Sequence, residues 1–447
     1  MAAAEPAESP EALEVDLTGL LLGVATAATQ IEGGDVASNW VDWAALPGTV
    51  ADGSSPVRAT DHWNRWREDT ALMASLGVQV YRLGVEWARL EPAPGRWDDD
   101  AFEHYRAELG LLREQGIRPL LTLHHFNSPR WFEQQGGWLG ADAVPHYLRL
   151  VRAVVERLGD LVDEYVTVNE PNVFVTGAYV FGEFPPGHRS LREAMRVYAR
   201  IAEAHIRAYG LVHELRPGLA TKVGVAHHLR PFRPGDPRNP WHRVLTPAVR
   251  YLFQDAIVRA MTTGEFAAPL RRPRGIRRGR YADFFGLNYY SRTTVTRFED
   301  GTPPGVPVND LGWEVYPEGL AETATWAWER FGLPVWVTEN GTADARDAFR
   351  ARFLAEHLAV VARLRERGVP VERYYHWCLV DNWEWAQGEG PRFGLVALDY
   401  PTQERTVRGS GRFFAEVAAT GGITARMRER YVDGQVYPVS DGTPPRG

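Results

Sequence analysis

A single-domain (β/α)8 TIM barrel is the fold that this 447-residue sequence predicts, and three observations carry the prediction. Eight short apolar runs recur along the chain, each followed at some distance by a stretch with helical period. The runs are continuous in their hydrophobicity, which is what a parallel sheet buried on both faces needs. No glycine-rich phosphate loop follows the first run, which argues against the doubly wound open sheet.

The elements follow in order. Run one, 19–27 (GLLLGVATA), leads to helical residues 69–77. Run two, 78–85 (VQVYRLGV), leads to 100–116, and run three, 117–125 (IRPLLTLHH), to 144–160. Run four, 163–170 (DEYVTVNE), precedes the helical stretch 190–215, and run five, 221–229 (TKVGVAHHL), precedes 247–264. Run six, 282–290 (ADFFGLNYY), is paired with 318–332, run seven, 333–340 (LPVWVTEN), with 348–368, and run eight, 372–380 (ERYYHWCLV), with 411–420. Several helical stretches end at a Gly just before the next run, a C-cap signal. The Pro/Arg-rich stretch 230–243 and the basic segment 271–280 (RRPRGIRRGR) read as loops. The barrel is expected to fill 18–432 without an internal linker. The acidic, Pro/Ala-rich residues 1–17 are expected to fray, as is the Pro/Gly-rich tail 433–447.

Composition bounds the function. Hydrophobic residues are 44% and charged residues 24%, an ordinary globular balance. The net charge of −7 gives nucleic acid no basic footprint to bind. One cysteine, Cys378, excludes an intrachain disulfide and a cysteine zinc site, and it fits a reducing compartment. The first residues lack the basic and apolar regions of a signal peptide. No apolar run approaches the roughly 18 residues of a membrane span. His227 and His228 are neighbours on a strand and face opposite sides, which is poor geometry for a metal. The expectation is a cytoplasmic protein with no cofactor, no metal, no membrane and no nucleic-acid partner.

Functional groups of such a barrel sit at the carboxyl ends of its strands. Gln30 follows run one, Arg82 lies in run two, and run three ends at His124 and His125. Run four ends Asn169-Glu170, run six carries Asn288 and Tyr290, and run seven ends Glu339-Asn340. Run eight carries Trp377, followed by Asp381, Glu384 and Trp385. A charge at the end of an apolar strand is costly without a partner or a task. One such Glu reads as a structural ion-pair residue. Two of them, sharing a rim with amides, an Arg and a Trp, read as a site. The chemistry that needs this set is glycoside hydrolysis. One carboxylic acid protonates the leaving oxygen and one carboxylate acts on the opposite face of the sugar, with pKa values pushed apart by environment. Amides hold the hydroxyls, and an aromatic face stacks on the ring.

The stretches GVATAATQIEG (23–33), YRLGVEWARLEP (81–92), TLHHFNSPRWF (122–132), TVNEP (167–171), FPPG (184–187), FGLNYYS (285–291), VTENG (337–341) and HWCLVDNWEWAQGEGPRFGL (376–395) together resemble the family 1 glycoside hydrolases, the β-glucosidase family. The resemblance runs over roughly 18–420. It implies a retaining exo-β-glycosidase acting on a small-molecule glycoside. The expected substrates are terminal β-D-glucosides, with β-galactosides and β-fucosides beside them. Glu170 would be the acid/base and Glu339 the nucleophile. Asn169 would hold the sugar 2-hydroxyl, and Arg82 and Tyr290 would keep Glu339 ionised and oriented. Asn288 would support this group. Gln30, His125, Glu384 and Trp385 would bind sugar hydroxyls, Trp377 would form the stacking floor, and Phe393 would line the far end. A cis peptide is implied at Trp377–Cys378. Transfer to an acceptor through the same intermediate is the alternative activity. A non-catalytic sugar-binding barrel would have no need of Glu170, Glu339 and Arg82 together. Homo-oligomers are common in the family, and no residue pattern here selects one.

The chain departs from the family pattern at Asn172, where Trp is common and the leaving group's subsite is expected. It departs also at His124, Phe126, Cys378 and Glu389. The branch acting on 6-phosphoglycosides replaces the hydroxyl-binding Glu by Ser and supplies Lys and Tyr. Here those positions are Glu384, Pro391 and Phe393, so phosphorylated sugars are not expected, and an ionised Glu384 would repel them. Plant thioglucosidases carry Gln at the acid position, where this chain has Glu170.

Overall fold

The computed structural model describes residues 12–218, 220–296 and 300–442. Eight parallel strands close into a barrel: β1 (Leu21–Ala25), β2 (Val80–Gly84), β3 (Arg118–Thr122), β4 (Glu164–Asn169), β5 (Lys222–His228), β6 (Phe285–Asn288), β7 (Val335–Asn340) and β8 (Val371–Trp377). Each pairs with its neighbour in sequence, and β8 returns to β1 with Arg373 opposite Leu21 and Trp377 opposite Ala25. Seven strands fall within the apolar runs, and β8 begins one residue before the eighth.

The principal helices alternate with the strands: α1 (His62–Ser75), α2 (Asp99–Glu114), α3 (Ala143–Leu158), α4 (Leu191–Leu215), α5 (Ala256–Thr263), α6 (Glu318–Phe331), α7 (Arg350–Glu366) and α8 (Gly409–Thr420). Helix α3 shows why they dock. Tyr147, Leu150, Val151, Val154 and Leu158 recur at three- and four-residue intervals and are all buried. Side-chain caps set several starts: Asp98 accepts from Ala101 N, and Ser190 accepts from Glu193 N. No helix among the described residues is long and apolar enough to cross a membrane.

The structure corrects the sequence reading in four places. Helix α1 begins at His62 rather than 69, because His62, Trp66, Thr70 and Met73 already form its buried stripe. The stretch 230–243 is not a loop throughout. Phe232–Pro234 pairs with Thr293–Val295, and a helical segment over Pro240–Arg250 runs on toward α5. Asn239 caps that segment through Trp241 N, and Pro240 occupies its first turn, where the missing N–H costs nothing. The start does not fray up to residue 17. Leu13–Asp16 is a strand paired antiparallel with Gly422–Thr424, and Leu17 is buried; residues 1–11 lie outside the described residues. The tail is packed as well. Tyr437 is buried against Phe349 and Val439 bridges Pro307; 443–447 lie outside the described residues. The segment 271–280 is turn and loop, as its composition predicts.

Candidate active site

The strand ends gather the expected residues at one mouth of the barrel. Arg82, from β2, is fully buried and divides its guanidinium among four acceptors. Nε donates to Thr122 Oγ1 at 3.1 Å, Nη1 to Glu339 Oε1 at 2.5 Å and to the Thr338 carbonyl at 3.3 Å, and Nη2 to Asn169 Oδ1 at 2.5 Å. Glu339, near the end of β7, receives a second donor on its other oxygen, the Tyr290 hydroxyl at 2.6 Å. The Cβ of any other residue at Gly341 would lie 2.0 Å from the Trp377 carbonyl oxygen, so glycine lets the chain after β7 pass against the end of β8.

Glu170 directly follows β4 with φ of 38°, a left-handed conformation that a non-glycine residue adopts at some cost. Its Oε1 accepts from Asn288 Nδ2 at 2.9 Å and lies 3.1 Å from His228 Nδ1. None of the described hydrogen bonds falls on its Oε2. Asn288 also donates to Asn169 Oδ1 at 3.0 Å and is itself held by Thr338 Oγ1 at 2.7 Å. Asn169 Nδ2 meets His125 Nε2 at 2.8 Å. Glu170, Asn169, Asn288, Arg82, Glu339 and Tyr290 thus form one connected network.

A second group adjoins it. Glu384 Oε1 accepts from Trp377 Nε1 at 3.0 Å. Gln30 Nε2 donates to the Asn382 side chain at 3.1 Å and the Trp383 carbonyl at 2.8 Å. The His125 ring lies 6.0 Å from Trp377 and 5.8 Å from Trp385, so the three rings adjoin. Phe393 packs beside Trp313 and Tyr290. The Trp377–Cys378 peptide is cis, as the resemblance implies.

Two neighbouring buried carboxylates cannot both ionise cheaply, so Glu170 and Glu339 compete for one proton. Burial and the Glu170 charge push Glu339 up to about 7, against the pull of Arg82 and Tyr290. Burial also opposes the Glu170 carboxylate, but a charged His228, its hydrogen bond and that of Asn288 bring Glu170 below the ordinary glutamate value. The stronger donors, a guanidinium and a phenol, sit on Glu339, so the hydrogen-bond geometry favours its carboxylate and leaves the proton to Glu170. Burial pushes Glu384 up to about 8, so it keeps its proton in the sugar-free site at neutral pH. Repulsion by an ionised Glu384 therefore does not operate there.

Several residues behave otherwise than the sequence suggests. Asn172 does not line open space: it is 1% exposed and donates to the His228 carbonyl at 2.7 Å, bracing the end of β5. His124 is packed between Trp138 and Phe174, and burial drops it to about 3. Asp381 turns away to Arg408 at 2.8 Å on both oxygens. Glu389 pairs with Arg58 on the outer side of its loop. The residue that sequence reasoning missed is His228. Alternation along β5 was the available signal: His227 faces Phe285 and His228 faces Glu170.

The model of the family described as Glycosyl hydrolase family 1 matches residues 17–423. The chain belongs to glycosyl hydrolase family 1. It is similar to β-glucosidase A of Thermotoga maritima, 32% identical over 444 residues that cover 91% of this chain and 98% of that one. It is similar also to a β-galactosidase of Sulfolobus acidocaldarius, 30% identical over 88% of this chain and 92% of its relative. Among solved structures, a β-glycosidase from Pyrococcus horikoshii superposes with a TM-score of 0.83 at 34% identity, covering 95% of this chain and 99% of that one. The protein is thus a glycoside hydrolase, and retention of anomeric configuration is general to family 1.

Proposed function

We propose that this family 1 enzyme is an exo-acting β-glycosidase for unphosphorylated terminal β-D-glucosides, with β-galactosides and β-fucosides as side substrates. The observation that carries the reading is the division of donors. Arg82 and Tyr290 hold the two oxygens of Glu339, whereas among the described residues Glu170 is held at Oε1 alone. Glu339 is then the nucleophile. One of its oxygens attacks the anomeric carbon as the bond to the leaving oxygen breaks, and the proton on Glu170 Oε2 passes to that oxygen. The ester formed removes the charge on Glu339, so Glu170 ionises more readily and takes a proton from the attacking water. Asn169 reaches the sugar 2-hydroxyl, Trp377 lies under the ring, and Gln30, His125, Glu384 and Trp385 take the remaining hydroxyls. A 6-phosphate would meet the carboxyl of Glu384, and Pro391 and Phe393 bring it no charge. The single cysteine, buried and free, is the reason for placing the enzyme in the cytoplasm.

Initial rates on nitrophenyl β-glucoside, galactoside, fucoside, xyloside, mannoside and 6-phosphoglucoside test the sugar preference. Release is expected from the first three and none from the phosphate. Glu339→Gly is expected to lose at least about a thousandfold in kcat, with azide or formate restoring part of it. Normal turnover by that variant without an added anion would overturn the assignment. The ratio of transfer product to free sugar, measured with an alcohol present, separates hydrolysis from transglycosylation.

A further inference from the structure

His228 closes β5 immediately beside the acid/base and has no part in the mechanism above. Its Nδ1 lies 3.1 Å from Glu170 Oε1, the same oxygen that Asn288 Nδ2 reaches at 2.9 Å. The ring is fixed from several directions. Tyr290 lies roughly parallel to it at 6.1 Å, Phe253 meets it edge-on at 6.1 Å, and Asn172 grips its carbonyl at 2.7 Å. The imidazole is therefore built in as a partner of one particular carboxyl oxygen.

We propose that His228 is a positioning residue for Glu170: its Nδ1–H, with Asn288, anchors Oε1 so that Oε2 is the oxygen that carries the proton between leaving group and water. The inference rests on the reading of Glu170 as the acid/base. It requires Nδ1 of His228 to carry a hydrogen during turnover, since only a donor serves an ionised Oε1. Its contribution is greatest in the second half-reaction. There Glu170 is the carboxylate, so the bond is charge-assisted, and Oε2 must face the incoming water.

The test uses 2,4-dinitrophenyl β-glucoside, whose good leaving group makes hydrolysis of the glycosyl-enzyme govern kcat. His228→Leu is expected to lower kcat about tenfold and to lower KM with it, because the covalent intermediate accumulates. Azide should recover much of that loss. It needs no base: its nitrogen bonds the anomeric carbon as the ester bond to Glu339 breaks, and that electron pair returns to the Glu339 carboxylate. His228→Asn places an amide N–H near the position of Nδ1 and should restore kcat to within about threefold of the parent without azide. An unchanged kcat and KM in His228→Leu overturns the proposal. So does a loss that neither azide nor the Asn variant repairs, since that pattern is damage to the fold, which thermal unfolding of both variants reports. Glu170→Ala separates this proposal from its premise. If azide fails to accelerate Glu170→Ala, the acid/base reading falls. If azide accelerates it while His228→Leu behaves as the parent, only the role of His228 falls.

Discussion

The barrel holds two buried Arg–Glu pairs, one at each mouth, and they are built on opposite plans. At the amino-terminal mouth Arg373, from β8, donates through both terminal nitrogens to the two oxygens of Glu164, from β4. These strands lie opposite each other, so the pair spans the barrel. Its guanidinium stacks 3.7 Å over Trp336, which in turn stacks on Phe284. Burial alone would lower the Arg373 pKa, yet Glu164 and Tyr375 hold it above the ordinary guanidinium value. At the carboxyl mouth Arg82 gives Glu339 only one of its terminal nitrogens and spends the rest on neutral acceptors. A second carboxylate is set beside it, and Glu339 rises to about 7. A closed fork neutralises a charge and leaves the carboxylate no further work. A divided guanidinium orients the carboxylate and leaves it poised to react.

Three experiments test the contrast. The largest effect is expected from Arg82→Lys. An ammonium cannot serve Glu339, Asn169 and Thr122 from one plane, so kcat/KM should fall about a hundredfold or more while the protein stays folded. Next comes Arg373→Met. It leaves the buried Glu164 charge only the exposed Arg118 at 3.8 Å and should cost about 3 kcal/mol in denaturant unfolding, with kcat of the folded protein changed less than twofold. A loss of kcat like that of Arg82→Lys would show that the two mouths are not independent. The smallest effect concerns pH. Glu384 stands near 8 in the folded chain, above its unfolded value, so the folded state binds the extra proton. Its stabilising contribution is complete below the unfolded pKa and is lost as pH rises through 8. Glu32 and Glu133, each near 7, act in the same sense. Glu384→Gln removes one of these titrations. It should reduce the fall in stability between pH 5 and 8 by about 3 kcal/mol, read from unfolding at the two pH values. An equal fall in both proteins would mean that Glu384 is already ionised in the free site.

Legibility in the sequence followed the same division. Glu170 and Glu339 stood out because each is a charge ending an apolar run, and the geometry joins both to Arg82, Asn169, Asn288 and Tyr290. The two histidines of run five put one imidazole on each face of the strand, which is a poor metal site and hides any other use. The same alternation places His228 on Glu170. The Arg373–Glu164 pair was invisible because its partners are far apart in the chain and open their strands, where charged residues look solvated. Helix α1 and the segment from Pro240 start earlier than their composition suggests. Tryptophan and histidine hid the stripe in the first, and in the second Asn239-Pro240 is a helix opening set in loop-like composition. The strand Leu13–Asp16 is too short to announce itself, and its partner lies almost at the other end of the chain.

That last pairing has a consequence for how the molecule comes into being. The segment preceding the first barrel strand is zipped to one that follows α8, and β1 itself borders β8. During synthesis Leu13–Asp16 leaves the ribosome with its edge unpaired and keeps it so until Gly422–Thr424 has emerged. A ring of eight units fastened this way has no intrinsic first member.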